Sequence, residues 1–298
     1  LDTQAPVVSL DPVLTNDPTP ALSGEIDDPT ATVVVTVDGV DYAATNNGDG
    51  TWSLADDSIS PALPEGETDI TVTATDAAGN ETVITETIQI DQTSPLVSLD
   101  PQLTNDATPA LTGTIDDPTA DVVVTVGGVD YAATNNGDGS WTLADNLLAA
   151  LPEGPSVVTV TATDKAGNPP TTITETIEVD TTRPTVTITA ADSLLTAGES
   201  TLITFSFDEA ISGFDSSDLQ VTGGFLTGLA QDALNPTLWT ATFTQSGTDQ
   251  PVIIVKDESY TDVVGNLGLG AVLSQASGGF ALDTQAPVVS LDPVLTND

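Results

Sequence analysis

The chain has 298 residues, with 45 acids set against three bases (Lys165, Arg183 and Lys256) and a formal charge of −42. So acidic a polymer is repelled by nucleic acid and by anionic lipid surfaces, which excludes both as partners and leaves cations as its natural counterparts. With no cysteine, methionine or histidine it has no disulfide framework, no soft-metal thiolate site and no imidazole base, and no apolar run reaches the length of a membrane span.

High charge with few apolar residues would mean disorder, but Val, Ile, Leu and Thr are plentiful here and can supply a packed core. In chain order, strands are expected near residues 7–10, 20–26, 32–37, 40–45, 51–54, 68–75 and 82–90. The signal is period-two alternation, as in Val33, Val35 and Val37 against Thr32, Val34 and Thr36, or Ile70, Val72 and Ala74 against Thr71, Thr73 and Thr75. Between them lie turn clusters: Asp38-Gly39, Asn46 to Gly50, and Ala77 to Asn80. No segment carries a sustained helical stripe. Seven short strands in about 90 residues predict a two-sheet antiparallel sandwich of the immunoglobulin type.

The pattern then repeats. Residues 1–17, LDTQAPVVSLDPVLTND, return unchanged as residues 282–298, with a diverged copy from Asp91 and a shorter echo from Asp180. The marker aspartates Asp2, Asp91, Asp180 and Asp283 are spaced 89, 89 and 103 residues apart. The expected domains are therefore 1–90, 91–179, a divergent 180–282, and 283–298 as the start of a fourth, within a longer parent that reuses the block. Each of the first three carries one tryptophan (Trp52, Trp141, Trp239) and one tyrosine (Tyr42, Tyr131, Tyr260), read as core residues, and all six phenylalanines fall in the third. An odd strand number brings the chain in at one pole and out at the other. Short linkers stiffened by Pro6, Pro95, Pro184 and Pro287 then predict domains stacked end to end as a monomeric rod.

In that topology three loops share the leading pole of each domain. The first supplies Asp2, Asp27, Asp28, Asp76 and Asn80; the second Asp91, Asp116, Asp117, Asp164 and Asn168; the third Asp180, Asp208, Glu209, Asp262 and Asn266, with Asp283 opening a fourth set. Several carboxylates converging at a half-buried pole repel one another unless a cation lies between them, and hard oxygen donors without imidazole or thiolate select Ca2+. The competing reading is that these acids are exposed turn formers. Asp17, Asp56, Asp57 and Glu65 are candidates to complete such a site from the preceding domain. The stretches Asn46 to Gly50 and Asn135 to Gly139 read either as hairpin tips or as partial calcium loops, and Lys165 is expected to point to solvent. Without histidine or cysteine, and with acid pairs repeated on loop tips, the pattern is wrong for a single catalytic cleft, so the chain is read as non-enzymatic.

The linker Asp2-Thr3-Gln4-Ala5-Pro6, together with Thr75 to Asn80, Thr163 to Asn168 and Thr261 to Asn266, resembles the bacterial immunoglobulin-like extender repeats of giant repeats-in-toxin adhesins. The stretch FSFDEAISGFDSSDLQVTGG, Phe205 to Gly224, is similar to a second subtype of such repeats. The resemblance covers essentially the whole chain. It implies type I export, an extracellular, cell-surface location, and a calcium-rigidified extender role that holds a distal binding domain away from the cell. The alternative is an adhesive module in which residues 180–282 bind a glycan or a protein.

Overall fold

The structure, a computed structural model, describes residues 2–283; Leu1 and residues 284–298, which hold nearly all of the expected fourth repeat, lie outside the described residues. The first repeat forms β1 (Leu14–Thr15), β2 (Leu22–Glu25), β3 (Thr32–Val37), β4 (Val40–Asn46), β5 (Thr51–Leu54), β6 (Gly66–Thr75) and β7 (Glu81–Ile90), in the order β1-β7-β6-β3-β4-β5-β2. β4 pairs with β3 through Val40 to Ala44 and with β5 through Thr45 and Asn46, so it passes from one sheet into the other and closes them around the core. Alternation sets that core: Val33, Val35, Val37, Ile70, Val72 and Ala74 are buried, and their neighbours along each strand face outward.

Trp52 lies at the centre, fully buried, and its Nε1 donates to the Ser9 carbonyl at 2.8 Å. It pairs with Gly24, where an added Cβ would come within 1.9 Å of Ser9 O, so the indole fits only because position 24 has no side chain. The same indole explains a departure from the expected strand at residues 7–10. Only Val8 bridges to Ile26, because Trp52 takes the Ser9 carbonyl and Glu25 N–H donates to Ser9 Oγ at 3.0 Å instead.

The second repeat reproduces the first as β8 (Leu103–Thr104), β9 (Leu111–Thr114), β10 (Asp121–Val126), β11 (Val129–Asn135), β12 (Ser140–Leu143), β13 (Gly154–Thr163) and β14 (Thr171–Val179), in the equivalent order. Trp141 Nε1 donates to Ser98 O at 2.8 Å, opposite Gly113.

The third repeat is built differently. β15 (Val186–Ala190), β17 (Ser200–Phe207), β21 (Leu238–Gln245) and β20 (Gly224–Gln231) form one sheet; β19 (Leu219–Thr222), β22 (Val252–Val255) and β24 (Ala271–Leu273) form another. Two short pairs complete it, β16 (Leu194–Leu195) with β25 (Ala281–Leu282) and β18 (Ile211–Ser212) with β23 (Thr261–Asp262), besides a single 3-10 turn at Ser216–Asp218. Phe205, Phe207, Phe214, Phe243 and Phe280 are buried and meet edge to face, while Phe225 is exposed. Tyr260 is buried with them, its hydroxyl donating to Leu269 O at 2.8 Å; burial pushes the phenol pKa up to about 12.

Each sandwich carries a parallel pairing among its antiparallel ones. Leu14 and Thr15 run parallel to Gln89 and Ile90, Leu103 and Thr104 to Glu178 and Val179, and Leu194 and Leu195 to Ala281 and Leu282. Two-residue strands are too short to show a period, so these pairs were not among the expected elements. By compactness the chain falls into two units. One holds the residues up to Gln102 with Thr108–Leu151 and Pro155–Ile177; the other holds Leu103–Ala107, Pro152–Gly154 and the residues from Glu178 onward. No helix among the described residues is long and apolar enough to cross a membrane.

Candidate metal centre

Each leading pole is assembled from the same parts. The loops between β6 and β7, between β13 and β14, and after β23 are each closed by their own aspartate. Asp164 Oδ1 accepts the N–H groups of Ala166 and of Gly167 (3.0 Å), and its Oδ2 accepts Asn168 Nδ2 at 2.7 Å. Asp262 accepts the N–H groups of Val264, Gly265 and Asn266 at 2.7–2.9 Å. Asp76 does the same with Ala78 and Asn80, and the Asn80 amide holds the Asp76 carboxyl below the usual range. The asparagine amide then reaches the linker: Asn80 donates to Asp2 O (3.3 Å), Asn168 to Asp91 O (2.8 Å) and Asn266 to Asp180 O (2.7 Å). These asparagines thus position both the loop carboxylate and the linker.

The acid pairs divide their work. The first member of each turns back on its own domain: Asp27 accepts Val7 N–H, Asp116 accepts Leu96 N–H and Asp208 accepts Thr185 N–H, all at 2.7 Å. The second member faces the pole. Asp28 and Asp117 spend Oδ1 on the backbone and hydroxyl of Thr30 and Thr119, at 2.7–2.8 Å. Asp117 Oδ2 is buried and has no hydrogen-bond partner. The carboxylates of Asp91, Asp117 and Asp164 lie within 4.8 Å of one another, as do those of Asp180, Glu209 and Asp262; among the described residues this close grouping occurs at these two places. At the first repeat Asp2, Asp27, Asp28 and Asp76 line an open groove of about 420 Å³. Asp283 follows β25 and donates its N–H to Leu195 O at 2.8 Å; the loops expected to join it fall beyond the described residues.

Electrostatics match the geometry. Burial raises the Asp91 pKa, and the nearby charges of Asp164, Glu65 and Asp117 add to the shift. Glu209 is raised by burial and then by Asp180, Asp262, Asp208 and Glu153. Glu65 and Glu153 hold equivalent places: Glu65 accepts Gln92 N–H at 2.7 Å, and Glu153 accepts the N–H (2.9 Å) and hydroxyl (2.6 Å) of Thr181. Asp17 accepts the N–H (2.9 Å) and hydroxyl (3.2 Å) of Thr19, and its proximity raises the Asp56 carboxyl. Lys165 stands off from the cluster, half-exposed, 3.8 Å from Asp121.

One role had no signal of its own in the sequence. Asn46 and Asn135 open hairpin tips, where Gly48 and Gly137 donate to their Oδ1 at 3.1 Å. Their amide nitrogens also cross to the acid-bearing loop, Asn135 donating to Asp117 O at 2.8 Å and Ala120 O at 2.9 Å. The Asn-x-Gly turn therefore braces the neighbouring pole.

All-β sandwiches in tandem, with acids gathered at the linker ends, define a repeat protein of the immunoglobulin-like class. The chain belongs to the bacterial Ig-like domain family: one such domain matches residues 8–92 and again 97–181, and a second, also a bacterial Ig-like domain, matches residues 180–278. Solved structures with similarity include part of a 1.5-MDa bacterial ice-binding adhesin (20% identity, 95% of this chain and 100% of that one, TM-score 0.40). Others are a tetra-tandem repeat from the extending region of a large adhesion protein (22%, 91% and 72%, TM-score 0.32) and the fibronectin(III)-like modules of Clostridium thermocellum CbhA (13%, 58% and 94%, TM-score 0.35). No curated protein matches the chain significantly.

Proposed function

We propose that these repeats are an extender of a bacterial cell-surface adhesin, exported by a type I system, in which calcium at each leading pole fixes one repeat to the next and a distal domain makes the adhesive contact. The observation that supports this most directly is Asp117 Oδ2, a buried carboxylate oxygen without a partner, set among two further carboxylates. Burying such a group uncompensated costs about 1–3 kcal/mol, and a bound cation would offset that cost. The donor set suits Ca2+: Asp91, Asp117 and Asp164, with Glu65 at the rim, and Asp180, Glu209 and Asp262, with Glu153, are all hard oxygens. When bound, the ion supplies positive charge that cancels their repulsion. Because Asp91 and Asp180 are linker residues while the other acids sit on sandwich loops, the same ion ties the linker to the repeat that follows it. The binding-module reading for residues 180–282 would need a cluster of exposed aromatics, and five of its six phenylalanines are in the core.

Calorimetric titration tests the reading. Extracellular calcium modules bind at about 10⁻⁴–10⁻³ M, so ~10 mM free ion should add roughly 1.4–2.7 kcal/mol per site. Scattering should record a narrower spread of lengths with calcium than with chelator. A melting temperature that responds alike to calcium and to sodium at equal ionic strength removes the metal from the proposal.

A further inference from the structure

The loop that carries Asp164 also meets the preceding repeat, and it does so with its backbone rather than its carboxylate. Asn16, at the corner after β1, donates its N–H to the Ala166 carbonyl at 2.9 Å. Gln92 in the linker donates its side-chain amide to the Asn16 carbonyl at 3.5 Å. Ala166 and Asn168 are each 7% exposed. The first repeat provides a comparison, since its loop has Ala78, Gly79 and Asn80 at the matching places, with Ala77 where Lys165 stands. There Ala78 is exposed and Asn80 only half-buried. Against the second repeat's loop lies the corner of another repeat. A second instance supports the geometry: Asn105 occupies the place of Asn16 one repeat on, and a methyl group added at Gly265 would lie 3.5 Å from its Nδ2, as one added at Gly167 would lie 3.7 Å from Asn16 Oδ1.

We infer that the Asp-x-x-Gly-Asn loop is a docking socket for the Leu-Thr-Asn-Asp corner of the preceding repeat, and that this contact orients the first repeat on the second without a cation. The partner it fits is another repeat with such a corner. A peptide N–H meeting a carbonyl where Ala166 is shielded from water gains net stability without involving charge, so neither chelator nor salt removes it. Ala166 is 7% exposed, so a larger side chain there has little free space. This deepens the extender reading and rests on it only in taking the fixed relation of neighbouring repeats as functional; it does not need the metal.

Because the chain has no cysteine, Glu86→Cys and Glu175→Cys, at equivalent exposed positions on β7 and β14, take a pair of spin labels that reports the distance between the first two repeats. In chelator the labelled full chain should give one narrow distance peak. Ala166→Leu should lose it, whereas Ala78→Leu, the same side chain in the same loop turned to solvent, should keep it. Asn16→Pro, which removes the donor N–H without touching the loop, should lose the peak as well. A broad distribution for the parent chain in chelator, or a narrow one for both Ala166→Leu and Asn16→Pro, overturns the socket. Calcium titration of the same samples separates the two ideas: absence of binding alongside a narrow peak in chelator defeats the metal and leaves the socket standing.

Discussion

Replacing Asp117 with asparagine should stabilise the second repeat in chelator and remove most of its response to calcium. The substituted side chain keeps an oxygen for Thr119 and places an amide where Oδ2 now lacks a partner, facing Asp91 and Asp164. Carboxylate oxygens lying within 4.8 Å of one another repel by at least about 3.5 kcal/mol at an effective dielectric of ~20. Solvent reaching the half-exposed Asp91 and Asp117 screens this to roughly 1–2 kcal/mol. With the relief of an unpaired buried oxygen, Asp117→Asn should stabilise the second repeat in chelator by about 1–3 kcal/mol. In ~10 mM calcium the variant should gain little of the roughly 1.4–2.7 kcal/mol that the ion adds to the parent, so the advantage it holds in chelator should shrink or disappear. At about 4–8 °C per kcal/mol for a domain of this size, thermal melting in the two buffers resolves both effects. Should Asp117→Asn melt lower than the parent in chelator, the carboxylates are not in conflict and the reasoning fails at its first step. An unchanged calcium increment would instead remove Asp117 from the ligand set.

The raised carboxyl of Asp91 contributes stability below its unfolded value, and that contribution is lost as pH rises through its folded value; Asp76, which is lowered, contributes above its unfolded value and loses it as pH falls through the folded one. Carbon NMR of the Asp91 carboxyl should give a midpoint above the usual range in chelator and below it in calcium, and a midpoint that ignores calcium excludes it as a ligand. Gly113→Ala places a methyl 2.0 Å from Ser98 O and 2.6 Å from Trp141 Nε1, so the second repeat should lose at least about 2–3 kcal/mol in denaturant melts; an unaffected midpoint would mean the indole can move aside. Asn135→Ala removes the two bonds that brace the Asp117 loop and should cost about 1–3 kcal/mol while weakening calcium binding, read by paired melting and calorimetry.

What was legible in the sequence was whatever repeats. The Val and Thr alternation placed β3, β6 and β7 within one or two residues. Within each acid pair, nothing in the letters separates Asp116 from Asp117. Only the fold decides that one carboxylate turns back to Leu96 N–H while the next faces the pole. Glu65 was one of four candidates on the preceding repeat, with nothing to separate it from Asp17, Asp56 and Asp57; Asn135 was harder still, because it acts on a loop far from it in sequence, and no local pattern records a bond formed across a sandwich. The Gly113–Trp141–Ser98 contact escaped for the same reason: a glycine within a strand reads as weak propensity until the indole beside it is seen.

The parallel pairing of the first and last strands has a mechanical consequence. β1 and β7 lie side by side near opposite ends of the repeat's chain, joined by Gln89 N–H to Val13 O and Asp91 N–H to Thr15 O, both at 2.9 Å. Tension drawn along the polypeptide slides these strands past each other lengthwise instead of peeling them apart. The slanted, evenly spaced bonds of a parallel pair are then loaded together, and none can rupture first to relieve the rest. Resistance to pulling is governed by the rate of crossing that barrier rather than by equilibrium stability. A repeat of modest thermodynamic stability can therefore bear sustained load, with two residues of β1 acting as the shear pin.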